Sequence, residues 1–224
     1  MLGNPVANAP EFREAFVRKC HRLVGLAYLT LDRASLRMAE ETEITGELAR
    51  TMEELLDRIP PPRGMRNLVV FDDPPQNTGR RRGRKRLRVD IEVRAIEVGP
   101  KPRFRFEAKR LTSDSSVRAY LGKDGLQMYI RGEYAGEQDD AGMLGYVQTG
   151  EPMAWAAEID TRLKLQPAEH AVCAGGEWNS CSLATEIPLT FRSVHNRLSI
   201  GRPLVVFHTL LEFSMRSGSQ TMRE

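Results

Sequence analysis

RLRVDIEVR (residues 86–94) and RFRFEAK (residues 103–109) are the two stretches that decide the fold. In both of them apolar and polar residues alternate strictly, which is the pattern of a β-strand with one buried face. The short connection between them contains the turn VGPKP (98–102), and so short a link joins only antiparallel neighbours. We therefore predict a β-hairpin whose polar face carries Asp90, Glu107 and Lys109.

The register of this hairpin decides which polar side chains meet. A tight turn in VGPKP places Asp90 opposite Lys109 and diagonal to Glu107, at a cross-strand separation of about 7 Å. Two carboxylates at that separation can hold one Mg²⁺, or Mn²⁺ as its substitute, with waters as the remaining ligands. Lys109 on the same face can contact an attacking water or a phosphate. The alternative is a solvated face with cross-strand ion pairs of about 0.2–1 kcal/mol each.

Composition sets the class of protein around this hairpin. The chain has 224 residues, of which 41% are hydrophobic and 28% charged, as in a soluble globular protein of one domain. No segment approaches the roughly 20 apolar residues that span a bilayer, and the N-terminus does not resemble a secretory signal. We expect a cytoplasmic protein without membrane contact. Its three cysteines fit reduced thiols, because a zinc set of His170, Cys173 and Cys181 lacks a fourth ligand.

Positive charge is concentrated in one run that enters the first strand of the hairpin. RRRGRKRLR (80–88) holds seven Lys or Arg, so the other residues hold 33 − 7 = 26 basic against 30 acidic groups, a net charge of −4. Such a run on an acidic body indicates contact with a polyanion, and basic side chains bind phosphates without reading sequence. The predicted nucleic-acid contacts are Arg80, Arg81, Arg82, Arg84, Lys85 and Arg86. The alternative is a basic loop without a ligand.

Periodicity outside the hairpin predicts further helices and strands. The order from residue 35 to residue 148 is α, β, β, β, α, β, and further elements precede and follow it. The predicted helices cover 11–31, 35–58, 116–133 (with Gly122 and Gly125 as weak points) and 152–165, and the additional strands cover 67–71, 143–148, 182–192 and 203–213.

Asp90, followed after sixteen residues by Glu107-Ala108-Lys109 on a hairpin, resembles the PD-(D/E)xK restriction-endonuclease-like superfamily. A helix and a strand before the motif, and a helix and a strand after it, are similar to the context that this superfamily gives it. The segments FDDPP, FEAKRL, YLGKDGLQMYIRGEY, AGMLGYVQTG and SVHNR look similar to uncharacterised bacterial members that accompany phage-defence loci, over roughly residues 40–213. Val89 stands where the motif usually has proline.

The resemblance implies an α/β fold with an αβββαβ core and a mixed central sheet. The core would cover residues 41–150 of a single domain, 1–224, with an N-terminal helical extension over 1–40 and a C-terminal helix and strands over 151–224. By resemblance, Asp90, Glu107 and the Ala108 carbonyl bind the metal, Lys109 positions or activates water, and Glu43 is the acidic residue of the first core helix.

The activity implied is a Mg²⁺-dependent endonuclease of bacterial anti-phage defence, with DNA favoured over RNA. The alternative is an inactive nucleic-acid-binding or assembly subunit of the same fold. A homodimer or a defence-system partner protein fits either hypothesis. Less decisive polar residues are Gln127, for which an ordinary helix position is favoured; Asp72 and Asp73, as extra ligands or turn formers; and Ser193, His195 and Arg197, as a phosphate contact or a turn.

Overall fold

A seven-stranded mixed sheet with helices on both faces forms the protein in the computed structural model, which describes residues 10–75, 87–96, 101–187 and 189–214. The helices are α1 (Pro10–Thr30), α2 (Glu41–Leu56), α3 (Ser115–Leu121), α4 (Leu126–Ile130) and α5 (Pro152–Leu165), with a 3-10 turn at Ser35–Met38. The strands are β1 (Leu68–Asp72), β2 (Ile91–Ala95), β3 (Arg103–Leu111), β4 (Asp140–Val147), β5 (Asn179–Cys181), β6 (Thr190–His195) and β7 (Leu204–Glu212). The fold class is α/β, as expected.

The strand order across the sheet is β1-β2-β3-β4-β7-β6-β5. Strands β1, β2 and β3 are antiparallel neighbours, β3, β4 and β7 are parallel, and β6 and β5 return antiparallel to them. The chain order from α2 to β4 contains the predicted α, β, β, β, α, β, except that the second helical region is split. The break between α3 and α4 falls at Gly122 and Gly125, the weak points marked in the sequence.

The hairpin of β2 and β3 forms, but its predicted register is wrong by two residues. Glu92 lies opposite Arg105 and Arg94 lies opposite Arg103, so continuing the ladder brings Asp90 level with Glu107. Among the described residues, the last hydrogen bond of the hairpin before the turn is donated by the Ala95 N–H to the Pro102 carbonyl. Pro102 has no N–H, so it cannot donate a hydrogen bond back to β2. A shift of two residues keeps the side chains of β2 and β3 on their predicted faces. Val89, before β2, is an exception, because it packs in the other core cluster from Ile91 and Val93.

The two glutamates on the polar face of the hairpin are buried rather than solvated, whereas the arginines of that face stay partly exposed. Helices α1 and α2 pack with Ile91, Val93, Phe104 and Phe106 on one side of the sheet. Helices α3, α4 and α5 cover much of the other side, and there Glu92 and Glu107 are only 0% and 5% exposed. None of the helices in the described part of the chain is long and apolar enough to cross a membrane.

Three predicted elements have different bounds in the structure. The helix expected over 35–58 is interrupted at Ala39 and Glu40, whose extended backbones let α2 start afresh at Glu41. The strand expected over 86–94 begins only at Ile91, because Asp90 bonds to β3 through its side chain. Of the described residues in the strand expected over 182–192, only the last three lie in a strand, β6. The described residues before it connect β5 to β6 through a turn that a bridge between Ala184 and Ile187 closes.

Candidate metal centre

The candidate site lies just before the first residue of β2, Ile91, where β3 continues without a partner from β2. Beyond the pair of Ile91 and Phe106, the edge of β3 has no strand partner on that side. The Ala108 N–H donates instead to Asp90 Oδ2 at 2.7 Å, and the Arg110 N–H donates to Glu41 Oε2 at 3.2 Å. The carboxylates of Asp90 and Glu41 therefore accept the backbone N–H groups of β3 that have no partner from β2.

Lys109 joins Glu41 and Glu107 into one cluster beside Asp90. Its Nζ donates to Glu41 Oε1 at 2.9 Å, to Glu107 Oε1 at 2.9 Å and to the Ala108 carbonyl at 2.7 Å. An ammonium group has three N–H donors, so all of them are used. The side chain is 13% exposed, and the ion pairs with Glu41 and Glu107 are thus largely withdrawn from water.

The charges of the cluster do not balance. One ammonium faces the carboxylates of Glu41, Asp90 and Glu107, which would leave a net charge of about −2 if all were ionised. Burial and the neighbouring Asp90 charge raise the pKa of Glu107 to about 8, although Lys109 opposes them. Burial likewise raises the pKa of Asp90 to about 6, against the hydrogen bond from Ala108. The cluster therefore favours an additional positive charge, either protons or a cation.

Glu107 also offers a free ligand atom. Its Oε2 is buried and has no hydrogen-bond partner in the described residues. An unsatisfied buried polar atom costs about 1–3 kcal/mol, and more when it is charged. Mg²⁺ is commonly held by one or two carboxylates and several waters, so Asp90 and Glu107 fit such an ion. In the described ranges no three His, Cys, Asp or Glu side chains are grouped as a metal would need.

The acidic residue that α2 contributes to this cluster is Glu41. Glu43, which the resemblance assigned to this role, is exposed and makes no contact with Lys109. Side chains two positions apart on a helix point about 200° away from each other, so only one of the two can face β3. The choice between them depends on the break at Ala39 and Glu40, and the periodicity of the sequence does not reveal it.

The other residues singled out in the sequence lie apart from this cluster. Arg80, Arg81, Arg82, Arg84, Lys85 and Arg86 fall outside the described residues. Asp73 pairs with Arg88 at 2.5 Å, and Asp72 is exposed at the end of β1. The Gln127 amide donates to the Glu169 carbonyl, so it caps a loop. His170, Cys173 and Cys181 do not form a metal-binding group within the described ranges.

Ser193 and His195 belong to a buried hydrogen-bond chain instead of a phosphate site. His195 Nδ1 must donate to the His170 carbonyl, so its Nε2 accepts from the Ser193 hydroxyl. Ser193 Oγ then accepts from His208 Nε2, and the Tyr120 hydroxyl donates to His208 Nδ1. Arg197 is also buried and donates to the carbonyls of Ala135 and Gln138. These groups stabilise the interior.

The arrangement at the start of β2 combines a part-buried carboxylate, a buried carboxylate with one free oxygen, and a lysine held in place by ion pairs. Such a set can bind a divalent cation and present a positive charge beside it. Compared with protein-family models, with curated proteins and with solved structures, the chain shows no match.

Proposed function

We propose that the protein is a Mg²⁺-dependent nuclease with a restriction-endonuclease-like core, which hydrolyses phosphodiester bonds at the cluster around Lys109. The observation that carries this proposal is the pair of part-buried Asp90 and buried Glu107, in which Glu107 Oε2 has no partner among the described residues. Burial of two adjacent carboxylates destabilises a fold unless a cation or protons compensate them. A divalent cation would satisfy the free oxygen and both charges at once.

Each residue of the cluster has a separate task. Asp90, Glu107 and the Ala108 carbonyl would hold the ion, which when bound neutralises phosphate charge and lowers the pKa of a coordinated water. Glu107 and Glu41, despite the opposing effect of burial, raise the pKa of Lys109, so its ammonium keeps its proton at neutral pH. Lys109 would therefore act as a positive charge beside the developing phosphate charge, and not as a general base.

The remaining parts of the proposal rest on the resemblance and on the basic run. The order of α2, β1, β2, β3, the helices α3 and α4, and β4 is compatible with an αβββαβ core. DNA as the preferred substrate, a role in anti-phage defence, and a homodimer or partner protein are proposed with it. The run 80–88 supports nucleic acid as the substrate class through its charge alone.

A second candidate is a catalytically inactive subunit that binds nucleic acid or assembles with a partner. Lys109 favours it, because its three donors are already taken by Glu41, Glu107 and Ala108. In that case the cluster serves only to close the edge of β3. The two candidates differ in their need for a divalent cation: a binding subunit shows salt-dependent affinity that no metal alters.

Cleavage and metal binding should be measured together on purified protein. With Mg²⁺ or Mn²⁺ we expect cleavage of labelled DNA, and a higher melting temperature in the presence of the metal. Glu107→Gln keeps an acceptor for Lys109 but loses the charge, and it should reduce cleavage by roughly 100-fold or more and abolish the thermal shift. Glu47→Gln, on the exposed face of α2, is the matched control.

Two results would decide against the nuclease. If Glu107→Gln and Lys109→Ala cleave as well as the wild type, the cluster is not the active site. If the wild type shows neither cleavage nor a metal-dependent melting temperature while it binds nucleic acid, the inactive subunit is the correct description.

A further inference from the structure

An exposed aromatic ring lies on the same face of the sheet as the candidate metal centre. Phe71, on the edge strand β1, is 36% exposed and pairs with Glu92, two residues from Asp90. The guanidinium carbon of Arg94 lies 4.0 Å from the centroid of the Phe71 ring. On the opposite face of β1, Leu68 and Val70 are buried in the core. Phe71 thus does not pack in the core, and its ring makes a cation–π contact with Arg94.

Glu92 holds the arginines of this face in position. Its buried carboxylate accepts hydrogen bonds from Arg94 Nε and, at 2.6 Å, from Arg105 Nε. Burial alone would raise the pKa of Glu92, but the bonds and charges of Arg105 and Arg94 outweigh burial and lower it. Arg105 is in turn bonded to Gln138 Oε1 at 2.9 Å. The stack of Arg94 on Phe71 is therefore preorganised.

This face also carries uncompensated positive charge. Arg103 lies opposite Arg94, and its side chain has no partner among the residues that the structure describes. Three arginines (94, 103 and 105) against the single carboxylate Glu92 give 3 − 1 = +2. Phe71 is level with Glu92, two residues from Asp90. At about 3.3 Å per residue, the Phe71–Arg94 stack therefore begins roughly 7 Å from Asp90 in the strand direction. A positively charged surface thus adjoins the negatively charged candidate metal centre.

We propose that Phe71, Arg94 and Arg103 form a binding track for single-stranded nucleic acid that leads to Asp90 and Glu107. An unpaired base stacks on the Phe71–Arg94 pair, and Arg103 contacts the backbone phosphate. A paired base presents only its edges, because its flat faces are covered within the duplex, so the ring selects unpaired substrate. The inference deepens the proposed nuclease function and rests on it for the meaning of the adjoining site.

Binding should be measured without divalent cations, so that cleavage does not interfere. The probes are fluorescent oligothymidylate, oligouridylate and a DNA duplex of equal length, followed by fluorescence anisotropy. Wild type should bind both single strands more tightly than the duplex. Phe71→Leu keeps an apolar side chain but removes the aromatic face, and it should weaken single-strand binding by roughly 10-fold or more. Phe71→Trp should stay within about 3-fold of wild type.

Salt dependence separates stacking from phosphate contact. Arg103→Gln should reduce the slope of log K against log salt by about 0.7, the value for one phosphate on a single strand. Phe71→Leu should leave that slope unchanged. Leu165→Ala, which removes another exposed apolar side chain, and Arg58→Gln, which removes a charge from the segment after α2, should change neither affinity nor slope.

The track and the nuclease can fail separately. If the wild type binds none of the probes, if Phe71→Leu binds single strands like the wild type, or if duplex binding is equally tight and equally sensitive to Phe71, the track is wrong, whatever the cleavage assay shows. If single-strand binding depends on Phe71 but no metal-dependent cleavage occurs, the track stands and the proposed nuclease function fails.

Discussion

Glu107 shows how one buried side chain can link metal binding to pH. Its pKa is raised to about 8 by burial first and by the Asp90 charge second, while Lys109 acts in the opposite direction. An unfolded glutamate has a pKa near 4.3, so between about pH 4 and pH 8 the metal-free folded state holds a proton that the unfolded chain has lost. The stability of the metal-free protein therefore falls as pH rises through that window.

The first prediction concerns proton release. A bound divalent cation requires ionised Asp90 and Glu107, so binding at pH 7 should release about one proton. Apparent affinity should rise by up to about tenfold per pH unit between roughly pH 6 and pH 8, and level off above that. Calorimetric titration in two buffers of different ionisation enthalpy measures the proton directly. Affinity that is constant between pH 6 and pH 8 would contradict the ligand assignment.

The second prediction distinguishes two glutamates of α2. Glu41 bonds both Lys109 and the Arg110 N–H, whereas Glu43 is exposed. Glu41→Gln should lower the cleavage rate by roughly 10–100-fold, the usual effect of removing a group that orients a metal-site residue. Glu43→Gln should cleave at the wild-type rate. The reverse order of effects would restore the assignment made from the resemblance and remove Glu41 from the site.

Strand β4 shows how an element can depend on the absence of a side chain. All of its residues are buried, and it lies between β3 and β7 in the centre of the sheet. A Cβ on Gly142 would overlap with the Phe106 ring and would meet the Phe104 ring at 2.9 Å. The aromatic rings of β3 therefore occupy the space that a side chain on β4 would fill.

The third prediction compares two glycines. Gly142→Ala should destabilise the protein by about 1–3 kcal/mol, because the rings of Phe104 and Phe106 must move. Gly46 lies within α2, and a Cβ there would meet nothing within 4 Å. Gly46→Ala should stabilise by about 0.5–1 kcal/mol through a lower backbone entropy of the unfolded chain. Urea unfolding measures both; equal effects of the two substitutions would refute the packing argument.

At the scale of the whole molecule, long-range ion pairs attach the N-terminal helix to the sheet. Arg13 on α1 donates to both carboxylate oxygens of Asp140, at 2.6 and 2.5 Å, where β4 begins. Asp140 is buried, and without Arg13 its charge would have lost its main partner. The pair fixes α1 on the face of the sheet that it shares with α2.

The fourth prediction tests that attachment. Arg13→Gln should lower the free energy of unfolding by about 1–3 kcal/mol, since a part-buried carboxylate loses its charged hydrogen bonds. Adding Asp140→Asn should cost less than the two single changes summed, because the two side chains interact directly. Arg18→Gln removes an exposed pair with Glu14 and should change stability by less than about 1 kcal/mol. If the effects of Arg13→Gln and Asp140→Asn on the free energy of unfolding simply add, the ion pair contributes nothing to stability.

The sequence by itself determined the paired part of the hairpin and the common face of Glu107 and Lys109 on β3. Alternation has a period of two, and this period depends only on local backbone geometry, so it survives a register error of two residues. The bounds of α5 were likewise predictable, because Pro152 suits the first turn of a helix. The family resemblance added roles for these residues, and those roles stay predictions.

Only the tertiary structure decided the rest of the site. Glu41 reaches Lys109 across 68 positions of the chain, and Gln138 reaches Arg105 across 33, so no local pattern reveals either contact. The burial of Glu107 and the exposure of Phe71 depend on which helices cover each part of the sheet. Side-chain contacts between distant segments arise from tertiary packing. Only this packing brings Glu41 to Lys109 and leaves Glu107 Oε2 buried without a partner among the described residues.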